Sequence, residues 1–259
     1  MSSSISGISD QTTIDSLIAR LTAMADDELI LSHRNAEWTG HAPILEEDIA
    51  LANLAQDELG HATTIYQILE PLTGKSPDQM AFFRDAADFR NVQLVELVKG
   101  DWAFTMLRQY LFDAYEHVLY EALLTSSFQP LADVVAKFRG EEMYHLRHSH
   151  VWVERLGLGT AESNGRMQVA LDSMWPFIMQ LFAKMSSDGV LINANIFPDV
   201  STLQPKWQEI VLPHLKNSNL SVPMNSTMMM AKRSVHTPNL TSLLADMQQV
   251  ARFDPDAEW

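Results

Sequence analysis

Glu58-Leu59-Gly60-His61 and Glu142-Met143-Tyr144-His145 each set a carboxylate and an imidazole three residues apart, twice in one chain. Positions i and i+3 of an α-helix share a face, so each copy can aim an oxygen and a nitrogen donor at one point. Two such pairs, joined by one carboxylate from each of two further helices, form the ligand set of a binuclear metal centre in a helical bundle. The lone acids are present: Glu28 stands 30 residues before Glu58, and Asp113 stands 29 before Glu142. The order lone acid, connection, Glu-x-x-His therefore occurs twice, as an internal repeat of two helical hairpins. Glu116 lies one turn beyond Asp113 and can face the same seam, either as support for the ligands or as the ligand itself.

The elements that must position these residues are visible in the hydrophobic phase. Leu17, Leu21, Met24, Glu28 and Leu31 make one stripe, and Leu51, Leu54, Glu58, His61, Ile65 and Ile68 make a second. A third runs through Val135, Phe138, Glu142, His145, Ser149, Trp152 and Leu156. Alternating steps of three and four mark the buried face of a bundle helix, so the acids are expected inside. Buried carboxylates cost several kcal/mol each unless they are paired or bind a metal, and a pair of divalent ions would compensate them. His33, His41, His117, His148, His150, His214 and His236 fall off these stripes and read as surface or hydrogen-bonded structural histidines.

Helices are expected at about 12–37, 44–71, 91–126, 129–156, 163–186 and 239–250, with an irregular stretch containing short helices over 190–235 where Pro198, Pro205, Pro213 and Pro223 cluster. Residues 1–13 read as a flexible N-terminal extension. Residues 14–259 read as a single domain, with a bundle core over about 14–156 and C-terminal helices and irregular chain over about 160–259. Pro/Gly/Ser-rich linkers that would separate two cores are absent from these 259 residues. The apolar run Trp175 to Phe182 reads as core or subunit interface, and Met228-Met229-Met230 as local packing.

The chain has no cysteine, which excludes disulfides, thiolate catalysis, iron–sulfur clusters and Cys-ligated zinc. Carboxylate and imidazole donors suit iron or manganese. A formal net charge of −15 argues against non-specific nucleic-acid binding. Neither a signal peptide nor a run of the roughly 18 apolar residues needed to span a bilayer is seen, so a cytoplasmic location is expected, with no membrane. Lys232-Arg233 is the densest basic spot in a region otherwise short of charge.

Several longer matches carry a family resemblance. The stretches Ser32-His33-Arg34-Asn35-Ala36-Glu37-Trp38-Thr39-Gly40-His41-Ala42-Pro43 and Asp57-Glu58-Leu59-Gly60-His61-Ala62 resemble PaaC-type subunits of bacterial ring-1,2-phenylacetyl-CoA epoxidases. So do Phe112-Asp113-Ala114, Tyr144-His145-Leu146-Arg147, Trp152 to Gly157, His236-Thr237 and Ala245-Asp246-Met247-Gln248. The resemblance implies an all-α, ferritin-like four-helix bundle with additional C-terminal helices. It also implies a multicomponent di-iron monooxygenase that epoxidises an aromatic acyl-CoA and is served by a reductase. In that family a PaaA-type subunit is catalytic and the PaaC-type subunit is regarded as structural, its ligand positions largely eroded.

This chain departs from the structural form, because Glu28, Glu58, His61, Asp113, Glu142 and His145 are all present. The catalytic form carries an aspartate in a Val-Asp-Gly setting, which resembles Phe112-Asp113-Ala114 and favours Asp113 over Glu116. The resulting expectation is a PaaC-like, metal-binding component of a phenylacetyl-CoA epoxidase, as a homodimer or as a heterodimer with a PaaA-like subunit. The alternatives are a non-catalytic scaffold for such a subunit, or a di-metal ferritin-like oxidase with another substrate. Di-iron is the expected cofactor, with manganese the alternative. Leu31, Phe112, Tyr115 and Phe138 are candidates to wall the aromatic ring, and Lys232 and Arg233 to meet a CoA phosphate.

Overall fold

The computed structural model describes residue 8, residues 10–224 and residues 226–255. The extension expected over residues 1–13 therefore lies mostly outside the described residues. From Gln11 the chain is helical, because the Asp10 side chain accepts the Thr13 backbone N–H at 2.9 Å and caps the first turn. The chain divides into two compact units, one formed by residues 1–98 with 231–259 and the other by residues 99–230.

The first unit holds α1 (Gln11–Ala36), α2 (Leu45–Thr73), α3 (Pro77–Phe82) and α4 (Gln93–Glu96). The second holds α5 (Trp102–Leu123), α6 (Gln129–Gly157), α7 (Ala161–Met174), α8 (Asp188–Asn193) and α9 (Leu203–Asn217). The chain then returns to the first unit with α10 (Pro238–Met247) and α11 (Gln249–Phe253). The all-α expectation holds, and each unit contains one of the two hairpins read from the repeat.

In the first unit α1 and α2 run along each other, and the expected stripes form their contact: Leu17, Leu21, Leu31, Leu51, Leu54 and Ile65 are all buried. Ile68 is only half-buried and Leu69 takes its place in the core. Most of α1 is buried around its whole circumference between Leu21 and Ser32, so its polar residues must find partners inside the protein. Asp26 accepts from Tyr66 Oη at 2.5 Å, Arg84 Nη2 at 2.5 Å, Arg84 Nη1 at 3.0 Å and the Arg90 backbone N–H at 2.7 Å. The returning segment is tied down by side chain to backbone bonds. Gln248 Nε2 donates to the carbonyls of Ala81 and Arg84, and Gln93 Nε2 donates to that of Val235.

In the second unit α5 and α6 form the equivalent hairpin. The single helix expected over 91–126 is broken between α4 and α5. Gly100 has φ +64°, and a Cβ there would stand 2.8 Å from Phe104, so the position needs glycine and the helix restarts behind the cap that Asp101 provides. Pro130 sits in the first turn of α6, as its missing N–H permits. At the other end a Cβ on Gly157 would lie 2.2 Å from the Ser218 carbonyl, so α6 ends where the chain after α9 crosses it closely.

Two further expectations are corrected here. The helix expected over 163–186 is α-helical only to Met174 and continues as a 3₁₀ turn over Trp175–Phe182, because Pro176 cannot donate the α-helical hydrogen bond. Within 190–235, where only short helices were expected, α9 is longer: its 15 residues include Pro205 in its first turn and Pro213 near its end. Burial of Trp207 decides this. Its Nε1 donates to the Leu111 carbonyl at 3.0 Å, and Trp175 and Phe182 pack around the indole. Tertiary packing outweighs the local proline signal.

Two predictions concern the buried polar groups. Arg84→Met leaves Asp26 buried without its cation and is expected to cost about 3–5 kcal/mol in urea unfolding. His214 stacks on His150 with ring centroids 3.4 Å apart, and Tyr110 packs edge-on at 4.9 Å. Burial first, and the neighbouring His150 second, pull His214 down to about 4 from 6.5. The unfolded chain thus takes up a proton near pH 6.5 that the fold refuses until about pH 4. This contribution is complete above pH 6.5 and is lost as pH falls through that window. The stability difference between wild type and His214→Gln should shrink between pH 7 and pH 4.5 in parallel urea titrations.

Candidate functional site

The first hairpin places Glu28 on α1 and Glu58 and His61 on α2, all at most 2% exposed. His61 Nδ1 lies 3.5 Å from Glu28 Oε1. Asn35 Nδ2 lies 2.9 Å from both oxygens of Glu58, and Ser32 Oγ donates to the Ala55 carbonyl at 2.9 Å. Glu28, Ser32 and Asn35 follow at intervals of four and three, so they form a polar stripe on α1 that faces α2. Asn35 lies outside the site residues read from the sequence. Its phase with Glu28 is the signal that could have found it.

The second hairpin brings together Asp113 and Glu116 from α5 with Glu142 and His145 from α6, all at most 3% exposed. Oxygens of Asp113, Glu116 and Glu142 lie within 4.8 Å of one another. His145 Nδ1 is 3.3 Å from Glu142 Oε1. Asp113 accepts from Gln109 Nε2 at 2.7 Å on one oxygen and from Ser149 Oγ at 2.6 Å on the other, while Glu116 accepts from Tyr120 Oη at 3.1 Å. Both α5 acids thus face Glu142, and Asp113 is the more firmly oriented by the bonds just given. Ser149 belongs to the α6 stripe visible in the sequence, but its partnership with Asp113 is not legible there. Tyr110 lies near this cluster, and burial together with the Asp113 charge raises its phenol well above 10.

On donor chemistry these residues fit a divalent ion. Each unit offers carboxylate oxygens and an imidazole Nδ1 turned toward them, the donors that iron and manganese accept, and the chain offers no thiolate. The hydrogen bonds to Glu58 and Asp113 are of the kind that hold metal ligands in orientation. Leu31, Phe112, Tyr115 and Phe138 are all buried.

The off-stripe histidines read as structural agree with their surroundings in two cases. His214 Nε2 meets the His150 carbonyl at 3.1 Å, and His236 lies between Glu96 Oε1 at 2.6 Å and the Phe89 carbonyl at 3.0 Å. The basic pair needs a correction. Lys232 is exposed, but Arg233 turns inward to Asp27 Oδ2 at 2.7 Å with its side chain 8% exposed. Asp27 is buried, which raises its carboxyl to about 6 even against the opposing pull of Arg233. The guanidinium is engaged by a buried acid, so the pair does not present two cations to a phosphate. Sequence alone could not reveal this, because Asp27 and Arg233 are 206 residues apart.

Residues 6–259 match the family of phenylacetic acid catabolic proteins. Over 248 residues the chain is 38% identical to the C subunit of 1,2-phenylacetyl-CoA epoxidase from Escherichia coli (strain K12), an overlap covering 95% of this chain and all of that protein. Over 166 residues it is 24% identical to the A subunit of the epoxidase from the same organism, covering 64% of this chain and 53% of that protein. These likenesses bear out the resemblance drawn from the sequence motifs, and with it the ferritin-like, all-α fold class.

Proposed function

The chain belongs to the family of phenylacetic acid catabolic proteins, and from that premise we propose that it is a metal-binding component of a multicomponent epoxidase acting on the aromatic ring of phenylacetyl-CoA. The observation that carries the metal-binding part is the presence of a buried Glu, Glu-x-x-His or Asp, Glu-x-x-His set in each hairpin. The ligands in this reading are Glu28, Glu58 and His61 in one unit, and Asp113, Glu142 and His145 in the other, with Glu116 beside Asp113. Di-iron is the proposed cofactor, and its chemistry when bound is the activation of O₂ for insertion of one oxygen into the ring. The electrons that reduce the second oxygen to water would come from a partner reductase.

The chain's own residues have distinct tasks in this reading. Asn35 holds Glu58, and Gln109 and Ser149 hold Asp113, so the ligands keep one orientation as charge changes at the site. Apolar neighbours such as Leu31 and Phe112 exclude water from the ligands, which strengthens every electrostatic contact there. The exposed Lys232 is the remaining candidate of its pair for a CoA phosphate.

A second reading has specific support in the likeness to the C subunit of the epoxidase, which is higher and longer than that to its A subunit. Under it the chain pairs with a PaaA-like partner that performs the chemistry. Metal content separates the two readings. Protein loaded with Fe(II) and desalted should carry about two ions per chain if the ligand sets are used, and well below one if the chain is a scaffold. Glu58→Ala and His145→Ala should each abolish uptake at their own ligand set and keep helical circular dichroism, because apolar burial holds the hairpins. Ser149→Ala should weaken metal affinity about 10- to 100-fold, the usual effect of losing a residue that orients a ligand.

A further inference from the structure

Three consecutive acids, Asp26, Asp27 and Glu28, lie on α1, and each is at most 3% exposed. Successive helical residues project about 100° apart, so the three side chains leave the helix in different directions. Each has its own partners in the first unit. Asp26 meets Arg84, Tyr66 and the Arg90 N–H. Asp27 accepts from the Val92 N–H at 2.7 Å and from Arg233 Nη1 at 2.7 Å. Glu28 faces His61 on α2.

Arg233 does more than neutralise Asp27. The same Nη1 donates to the Arg90 carbonyl at 3.0 Å and lies 3.4 Å from the Ala23 carbonyl, one turn before Asp27 on α1. It therefore joins α1 to the 90–92 segment whose backbone N–H groups already hold Asp26 and Asp27. The guanidinium links these two pieces of chain from a third, the returning segment that begins at Ala231.

We infer that Arg233 is a positioning residue for the metal site: through Asp27 it fixes the rotation of α1 about its axis, and so fixes where Glu28 points. The inference rests on the metal-binding reading given above. A side-chain carboxylate lies about 5–6 Å from its helix axis, so a turn of about 15° moves it by roughly 1.5 Å. A metal ligand must be placed within about 0.5 Å. Anchoring Asp26 alone holds one side of α1. The Asp27–Arg233 pair holds a second side about 100° away, and two anchors at that angle suppress rotation in both directions.

The test uses the full chain and Mn(II) as the only added ligand, with free Mn(II) read by electron paramagnetic resonance. Wild type is expected to bind two ions. In Arg233→Met one of the two dissociation constants should rise about ten-fold or more while the other stays within about two-fold, with unchanged helical circular dichroism. Arg233→Lys, which keeps the charge on Asp27, should recover most of the lost affinity. A merely structural Arg233 would lower the melting temperature and leave both constants in place or weaken both alike, and either result overturns the inference. If Arg233→Met does not fold, Asp27→Asn decides the matter: selective weakening of one ion supports the positioning role, and unchanged constants overturn it. Wild type that takes up no Mn(II) overturns the metal reading and this inference with it, whereas two bound ions with a silent Arg233→Met overturn this inference alone.

Discussion

An ionised carboxylate inside a protein must be compensated, and this single constraint organises both units. Asp26, Asp27, Glu28, Glu58, Glu96, Asp113, Glu116 and Glu142 are all at most 3% exposed. Left alone, each would cost several kcal/mol, and together they would exceed the net stability of an ordinary domain. The protein answers in two ways. Asp26, Asp27 and Glu96 have Arg84, Arg233 and His236 directly on their oxygens, and backbone N–H groups of Arg90, Val92 and Thr237 complete the set. Glu58 and Asp113 accept from amide and hydroxyl groups of Asn35, Gln109 and Ser149, contacts that fix the direction of a carboxylate and carry no charge of their own.

The contacts of Asp27 and Glu96 lie where the chain from Ala231 onward returns to the first hairpin. Arg233, His236, Gln248 and Arg252 each bridge to positions between Asp27 and Glu96, so the return is fastened by polar contacts at several points. The second unit is closed differently, around the indole of Trp207 and the stacked rings of His150 and His214. Aromatic packing there does what ion pairs do in the first unit.

The two hairpins carry parallel sets of buried carboxylates and an imidazole, oriented by different means. In one, an asparagine on the same helix as the lone acid reaches across to the glutamate of Glu-x-x-His. In the other, a serine four residues beyond the histidine reaches back to the lone acid. The repeat thus keeps the donor types while the supporting contacts differ.

What the sequence determined by itself was periodic and local. The three-and-four stripes placed Glu28, Glu58, His61, Glu142 and His145 on buried helix faces, because burial of an amphipathic helix follows from spacing alone. Only the tertiary structure decided the rest. It turned Arg233 inward to Asp27, made a helix through Pro205 and Pro213 around Trp207, and brought Asn35 to Glu58 and Ser149 to Asp113. Each of those outcomes joins residues distant in the chain or on different helices, where no local propensity acts. The deciding energy is the cost of leaving a buried polar group without a partner, and that cost exists only once the chain has folded.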